Sequence, residues 1–181
     1  MRNINEIICP VCCNELKTDG KTYKCQNNHS FDISKYSVVN LSLNNKSSKK
    51  RHGDDKKMVV ARKDFLDIGF YEPIREAVKT LAKKHCSNTD VFVDAGCGEG
   101  YYTHALAEIT NAKTVIGVDL SKEALRYFKK RNNTATAIVS SIFKICEISI
   151  SDILLNKYII LHIGINSHIK FKSILRRFLK L

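Results

Sequence analysis

Val91-Phe92-Val93-Asp94-Ala95-Gly96-Cys97-Gly98-Glu99-Gly100, followed by Val115-Ile116-Gly117-Val118-Asp119, decides the fold of this chain. The first stretch is an apolar, largely β-branched run that breaks into a glycine-rich turn. The second is another such run, ending in an acid nineteen residues after Gly100. A buried strand needs the apolar run, the turn needs glycines so that backbone can approach a ligand, and the acid can grip ribose hydroxyls. The pair therefore reads as nucleoside chemistry. Its spacing narrows which nucleoside: dinucleotide sites place a pyrophosphate with G-x-G-x-x-G, whereas Gly96, Gly98 and Gly100 alternate as G-x-G-x-G, with Tyr101 where the third dinucleotide glycine would fall. No Lys-Ser/Thr pair of a triphosphate loop follows. An acid at each strand end and no phosphate-binding cation suit S-adenosylmethionine, which carries a ribose, an amino acid and a sulfonium but no phosphate.

The elements around this core alternate. Residues 58–68 and 72–85 have helical periodicity, the second with Ile74, Val78 and Leu81 on one face and Pro73 near its start, and Gly69 separates them. Residues 103–109 form a helix on Ala105, Leu106 and Ile109. Ser121 caps another that carries Ala124, Leu125 and Phe128 and ends in Lys129-Lys130-Arg131. Residues 135–139 make a third strand. Strand and helix in alternation give an α/β, doubly wound parallel sheet of Rossmann-like form, with its ligand at the carboxyl ends of the strands.

Near the N-terminus a second chemistry is written: Cys9-Pro10-Val11-Cys12, then Cys25 after twelve intervening residues and His29 after three more. Two thiolates two residues apart turn around one tetrahedral ion, and a second pair brought in by a hairpin completes the coordination of a structural zinc. Asp19-Gly20 supplies the hairpin turn. Cys13 competes as a ligand, but adjacent cysteines point in different directions and Cys12 has the better spacing. Seven cysteines without an export signal argue for a reducing compartment rather than disulfides. Cys86, Cys97 and Cys146 read as small buried hydrophobes, and His52, His85, His104, His162 and His168 are isolated.

Charge is unevenly placed. The net charge of +12 divides into +7 over residues 1–63, −1 over 64–156 and +6 over 157–181. Basic ends around a neutral centre suit a polyanion docking beside the site, nucleic acid above all. No run of eighteen apolar residues and no signal peptide is present, so the expectation is a soluble cytoplasmic protein that engages no membrane. The division expected is a zinc-binding module over 1–43, a basic linker over 44–57, a methyltransferase domain over 58–156 and a basic segment over 157–181, with module and domain holding separate cores.

Together the motifs resemble the large-subunit (23S) ribosomal RNA (guanine-N1)-methyltransferase family, which joins an N-terminal zinc module to an S-adenosylmethionine-dependent domain. The match runs through Cys9, Cys12, Cys25 and His29, then Ser30-Phe31-Asp32, Lys35, Val39-Asn40-Leu41, Gly53-Asp54, Met58, Ala61-Arg62, Phe65-Leu66, Gly69, Tyr71 and Pro73, and on to the glycine turn and Asp119. The resemblance implies a cofactor site of Asp94, Gly96, Cys97, Gly98, Glu99, Gly100, Tyr101, Asp119, Leu120, Ser140 and Ser141. It also implies large-subunit rRNA held by the zinc module with Lys35, by Lys49, Lys50 and Arg51 in the basic loop, and by Arg62. It names no general base. Beyond Ser141 the match fades: Lys144-Ile145-Cys146-Glu147-Ile148 stands where the family has a Leu-Pro-Phe-like segment, and the residues after Asp94 house an incomplete sheet at about 30 residues per strand-helix-strand unit. Two expectations follow. The chain is a methyltransferase acting on N1 of a guanine, or a shortened, inactive RNA-binding remnant of that family whose open sheet edge favours association, a homodimer being one form.

Overall fold

The computed structural model describes residues 7–43, 54–85, 90–141 and 158–161. Four short strands open the chain: β1 (Ile7–Ile8), β2 (Glu15–Thr18), β3 (Thr22–Cys25) and β4 (Ser30–Asp32), joined antiparallel in sequence order. The β2–β3 turn is set by chemistry: Asp19 Oδ1 accepts from the Lys21 and Thr22 backbone N–H groups at 2.8 and 2.7 Å, and Gly20 adopts a φ of +88°.

A second sheet is parallel throughout, in the order β5 (Val38–Asn40), β8 (Thr136–Val139), β7 (Thr114–Asp119), β6 (Val91–Ala95), β9 (Tyr158–Leu161). Between its strands run α1 (Lys56–Asp67), α2 (Glu72–His85), α3 (Tyr101–Thr110) and α4 (Lys122–Arg131). Caps explain the helix starts: Asp55 accepts from the Met58 N–H and Ser121 from the Ala124 N–H. Basic residues fill the last turn of α4, opposite in sign to that end of the helix dipole.

Strand period two divides the side chains between two faces. Val39, Val91, Val93, Ile116, Val118 and Ile138 pack on one side against Cys9, Leu16, Cys25, Tyr23 and Phe31 of the first sheet. On the other side Val38, Val115, Ala137 and Val139 pack against Leu125 and Phe128 of α4. Every residue of β6 is buried, as a strand covered on both faces requires.

Two expectations change here. Val38–Asn40 falls within the 1–43 module by spacing, yet it forms the edge strand of the parallel sheet beside β8, and the Leu41 N–H extends the pairing to the Val139 carbonyl at 3.0 Å. Module and domain consequently share one core, because the second sheet face has to be covered and the ribbon covers it. The fourth methyltransferase strand, β9, arises where the family match had faded, from the apolar run Tyr158-Ile159-Ile160-Leu161 paired to β6.

The shared core has a measurable consequence. Leu16 is buried against the sheet, so Leu16→Ala is expected to cost about 2–5 kcal/mol and to lower one common unfolding transition. Urea unfolding followed by circular dichroism checks this; a sheet transition left in place while the module melts separately would mean independent cores.

Candidate active site and zinc centre

At the base of the first sheet Cys9 and Cys12 flank the turn after β1, Cys25 ends β3 and His29 precedes β4. Their ligand atoms all lie within 4.8 Å of one another. Cys12 Sγ is 3.6 Å from Cys25 Sγ, and His29 Nδ1 is 3.6 Å from Cys9 Sγ and 3.4 Å from Cys25 Sγ. A tetrahedral ion with Zn–S bonds of about 2.3 Å has sulfur–sulfur edges near 3.8 Å, so these residues fit zinc, with His29 offering Nδ1. Backbone bonds hold the two arms: Cys9 N–H to the Asn14 carbonyl at 2.8 Å, Cys13 N–H to the Cys9 carbonyl at 2.8 Å, and Cys25 N–H to the His29 carbonyl at 3.1 Å. The Asn14 backbone lowers the Cys12 thiol, favouring the thiolate that binds metal. Cys13 is exposed and stands outside the ligand group. With four protein ligands no position remains for a reacting water, so the ion is structural.

At the carboxyl ends of β6 and β7 the glycine turn is clamped. Gly96 and Cys97 both donate their N–H groups to the Val118 carbonyl, at 2.7 and 3.1 Å, and Asp119 accepts from the Gly98 N–H at 3.0 Å and the Ser121 N–H at 2.8 Å. The glycines have different tasks. A Cβ on Gly98 (φ +56°) would meet nothing within 4 Å, whereas one on Gly100 (φ +84°) would lie 2.5 Å from Asn132 Nδ2 and 2.8 Å from the Phe128 ring. Gly98 borders open space suited to a ligand; Gly100 lets the turn pack on α4.

Three acids gather here, and none forms an ion pair among the described residues. Asp94 is buried, accepts from Thr103 Oγ1, and its carboxyl is pushed up to about 7, mainly by burial, with the charges of Asp119 and Glu99 adding. Burial also raises Asp119 and Glu99. Glu99 Oε1 is buried without a hydrogen-bond partner. An orphaned carboxylate oxygen beside an open glycine cradle fits a ligand that carries a sulfonium and an ammonium. Ser140 is buried, and its N–H reaches the Asp119 carbonyl at 3.2 Å, which sets Ser140 and Ser141 beside that acid. Leu120 is exposed. Tyr101 is buried with its hydroxyl on Glu72 Oε2 at 3.2 Å, so its side chain ties α2 to the start of α3. The Cys97 thiol is buried and raised well above its ordinary value, the state of an inert thiol.

Of the expected RNA contacts, Lys35 is exposed with its ammonium 5.2 Å from the Tyr36 ring, and Arg62 pairs with Asp54 at 2.5 Å. Lys49, Lys50 and Arg51 lie outside the described residues, as do His52, Cys86, Cys146, His162 and His168. Sequence reasoning did not single out Thr103 as the partner of Asp94, or the Asp54 carbonyl that accepts from Ser121 Oγ at 2.9 Å. Both motifs stand in the family match, but no spacing rule assigns them a task.

The methyltransferase-domain family matches residues 87–180, more than half of the chain. The chain belongs to the methyltransferase-domain family. Ahead of that domain, residues 7–49 match the zinc-ribbon family described as RlmA, N-terminal. The cofactors expected from the sequence, S-adenosylmethionine and structural zinc, are those these two domains use. The 23S rRNA (guanine(748)-N(1))-methyltransferase of Streptomyces fradiae is 30% identical over 138 residues, covering 75% of this chain and 48% of its own length. A relative from Micromonospora griseorubida is 31% identical over 150 residues, covering 72% of this chain and 50% of its own. The chain thus spans about half the length of the curated relatives it matches. Among solved structures, a SAM dependent methyltransferase from Aquifex aeolicus is 20% identical with a TM-score of 0.40, over 49% of this chain and 48% of that one. The domain match runs past Ser141 to residue 180, through the stretch where the motif resemblance fades. No helix among the described residues is long and apolar enough to cross a membrane.

The purified chain is expected to carry one zinc ion, and Cys25→Ala to lose it, as metal analysis after dialysis would show; undiminished zinc in that variant would place the ion elsewhere. Asp94 gives a pH signature. Its folded carboxyl titrates near 7 against an ordinary 3.8, so its contribution is complete below about pH 4 and is lost as pH rises through 7. Between pH 5 and 8 the wild type is expected to lose roughly 2–3 kcal/mol more stability than Asp94→Asn. Urea unfolding at both pH values checks this, and equal losses would refute it.

Proposed function

We propose that the chain binds S-adenosylmethionine and transfers its methyl group to N1 of a guanine in large-subunit rRNA, in the cytoplasm. The observation that carries the reading is a four-ligand zinc ribbon packed on the same sheet whose strand ends hold the glycine turn and Asp119. The cofactor residues are Asp94, Gly96, Cys97, Gly98, Glu99, Gly100, Tyr101, Asp119, Leu120, Ser140 and Ser141. Asp119, already fixed by two backbone N–H groups, accepts from the ribose hydroxyls. Gly98 leaves room for the methionine part, and the acids offset the positive charge of the donor. S-adenosylmethionine supplies the electrophilic methyl.

On the acceptor side, the protein has to hold the guanine N1 in line with that methyl and to let the N1 proton leave, so catalysis is mostly positioning. RNA as the acceptor is supported by the ribbon surface. Lys17 stands directly across from Lys24 in the β2–β3 ladder, and both are exposed. Like charges so paired repel and cost stability in isolation; a phosphate backbone relieves the repulsion. The match of the methyltransferase-domain family through residue 180 favours this reading over an inactive remnant.

The test is transfer of a labelled methyl group to large-subunit RNA that lacks the modification, with the product mapped to guanine N1. Asp119→Ala is expected to weaken S-adenosylhomocysteine binding by about 1–3 kcal/mol, the cost of removing a charged acceptor. Calorimetry giving unchanged affinity would move the ribose elsewhere, and absence of transfer from the wild type would overturn the activity.

A further inference from the structure

Helix α4 carries five cations, Lys122, Arg126, Lys129, Lys130 and Arg131, against one acid, Glu123. Its buried side is Ala124, Leu125 and Phe128. Lys122, Arg126 and Lys130 recur every four residues and so form a stripe on the opposite side, with a rise of about 6 Å between successive positions. Two cations outside the stripe are used within the fold: Lys129 donates to the Asn133 and Ala135 carbonyls, and Arg131 pairs with Asp67. The stripe is different. Lys122 and Lys130 are exposed and form no ion pair among the described residues, and Lys130 stands 5.1 Å over the Tyr127 ring. Arg126 pairs with Glu123 and lies 4.0 Å over the ring of Tyr36, which also takes the Lys35 ammonium at 5.2 Å.

One end of the stripe and its middle each meet another part of the fold. Lys122 follows Ser121, whose N–H holds Asp119 at the cofactor site. Tyr36 and Lys35 sit in the turn between the ribbon and β5. A row of cations thus runs along α4 from the mouth of the methyltransferase site past the ribbon junction, with Arg126 seated on an aromatic ring and paired to Glu123 while Lys122 and Lys130 at either end meet no acid among the described residues. We propose that Lys35, Lys122, Arg126 and Lys130 form a track for the phosphate backbone of the RNA substrate, with Tyr36 as a positioning residue for Arg126. The track rests on the reading of RNA as substrate and adds the path by which the strand reaches the site. A phosphate chain fits because its charges repeat regularly and carry no sequence demand.

The experiment uses the full zinc-loaded chain and a fluorescein-labelled hairpin of large-subunit rRNA, titrated at several salt concentrations. Lys122→Ala/Lys130→Ala is expected to weaken binding roughly tenfold near 0.1 M salt and to make the salt slope shallower by about 1.4, the value for two lost single-strand phosphate contacts. Its thermal unfolding midpoint, the folding control, stays unchanged. Tyr36→Ala weakens binding and Tyr36→Phe restores it, since the ring and not the hydroxyl holds Arg126. Wild-type affinity and slope in the double variant would overturn the track while leaving RNA as the substrate. Failure of the wild type to bind the hairpin would overturn both. Displacement of the hairpin by polyglutamate at equal charge would assign the stripe to an acidic protein and overturn the RNA track.

Discussion

A parallel sheet has to be covered on both faces, and that constraint organises this molecule. The ribbon packs on one face and α4 on the other, so side chains that alternate along β5, β7 and β8 belong by turns to two cores. The ribbon brings few large apolar groups to the task, chiefly Leu16, Tyr23 and Phe31. Its shape therefore depends on the metal, whose binding energy is folding energy in a module this small. Two of the four zinc ligands, Cys9 and Cys25, are themselves part of the shared core. The zinc thus supports the cofactor sheet through packing, without approaching the site.

How much of this was legible depends on whether the signal was local. The Asp19-Gly20 turn, the Ser121 cap, the 72–85 helix, the glycine turn and the C-x2-C spacing all act within a few residues, and each stands in the structure where the sequence puts it. Val38–Asn40 was not legible as a strand of the second sheet, because three residues carry no periodicity and their partner, β8, lies about a hundred residues on. Burial of both sheet faces is likewise a tertiary fact. Ile116 and Val115 look alike in sequence, and only the pleat sends one toward the ribbon and the other toward α4. At the site the acids could be named, but not their partners: nothing in the spacing shows that Thr103 donates to Asp94 or that one oxygen of Glu99 is left alone.

Charge is sorted by depth. Asp94, Glu99 and Asp119 are drawn into the strand ends, where burial raises all three carboxyls, while the chain as a whole carries +12. Negative groups inside a positive surface would be a poor arrangement for a phosphorylated cofactor. The arrangement suits a cationic methyl donor held within and a polyanion held without.

Helix α4 is where these demands meet. At its start the Ser121 N–H fixes the Asp119 carboxylate, while the Ser121 hydroxyl accepts from the Ala124 N–H and donates to the Asp54 carbonyl ahead of α1. In its middle the Phe128 ring lies so close to Gly117 and Gly100 that neither could bear a Cβ without displacing it. At its end Arg131 pairs with Asp67 of α1, and on its outer side Arg126 rests on Tyr36 from the ribbon junction. One helix therefore sets the glycine turn, the entry to α1 and the contact with the ribbon junction. Gly117 sits within the β7 strand because Phe128 occupies the space its side chain would need.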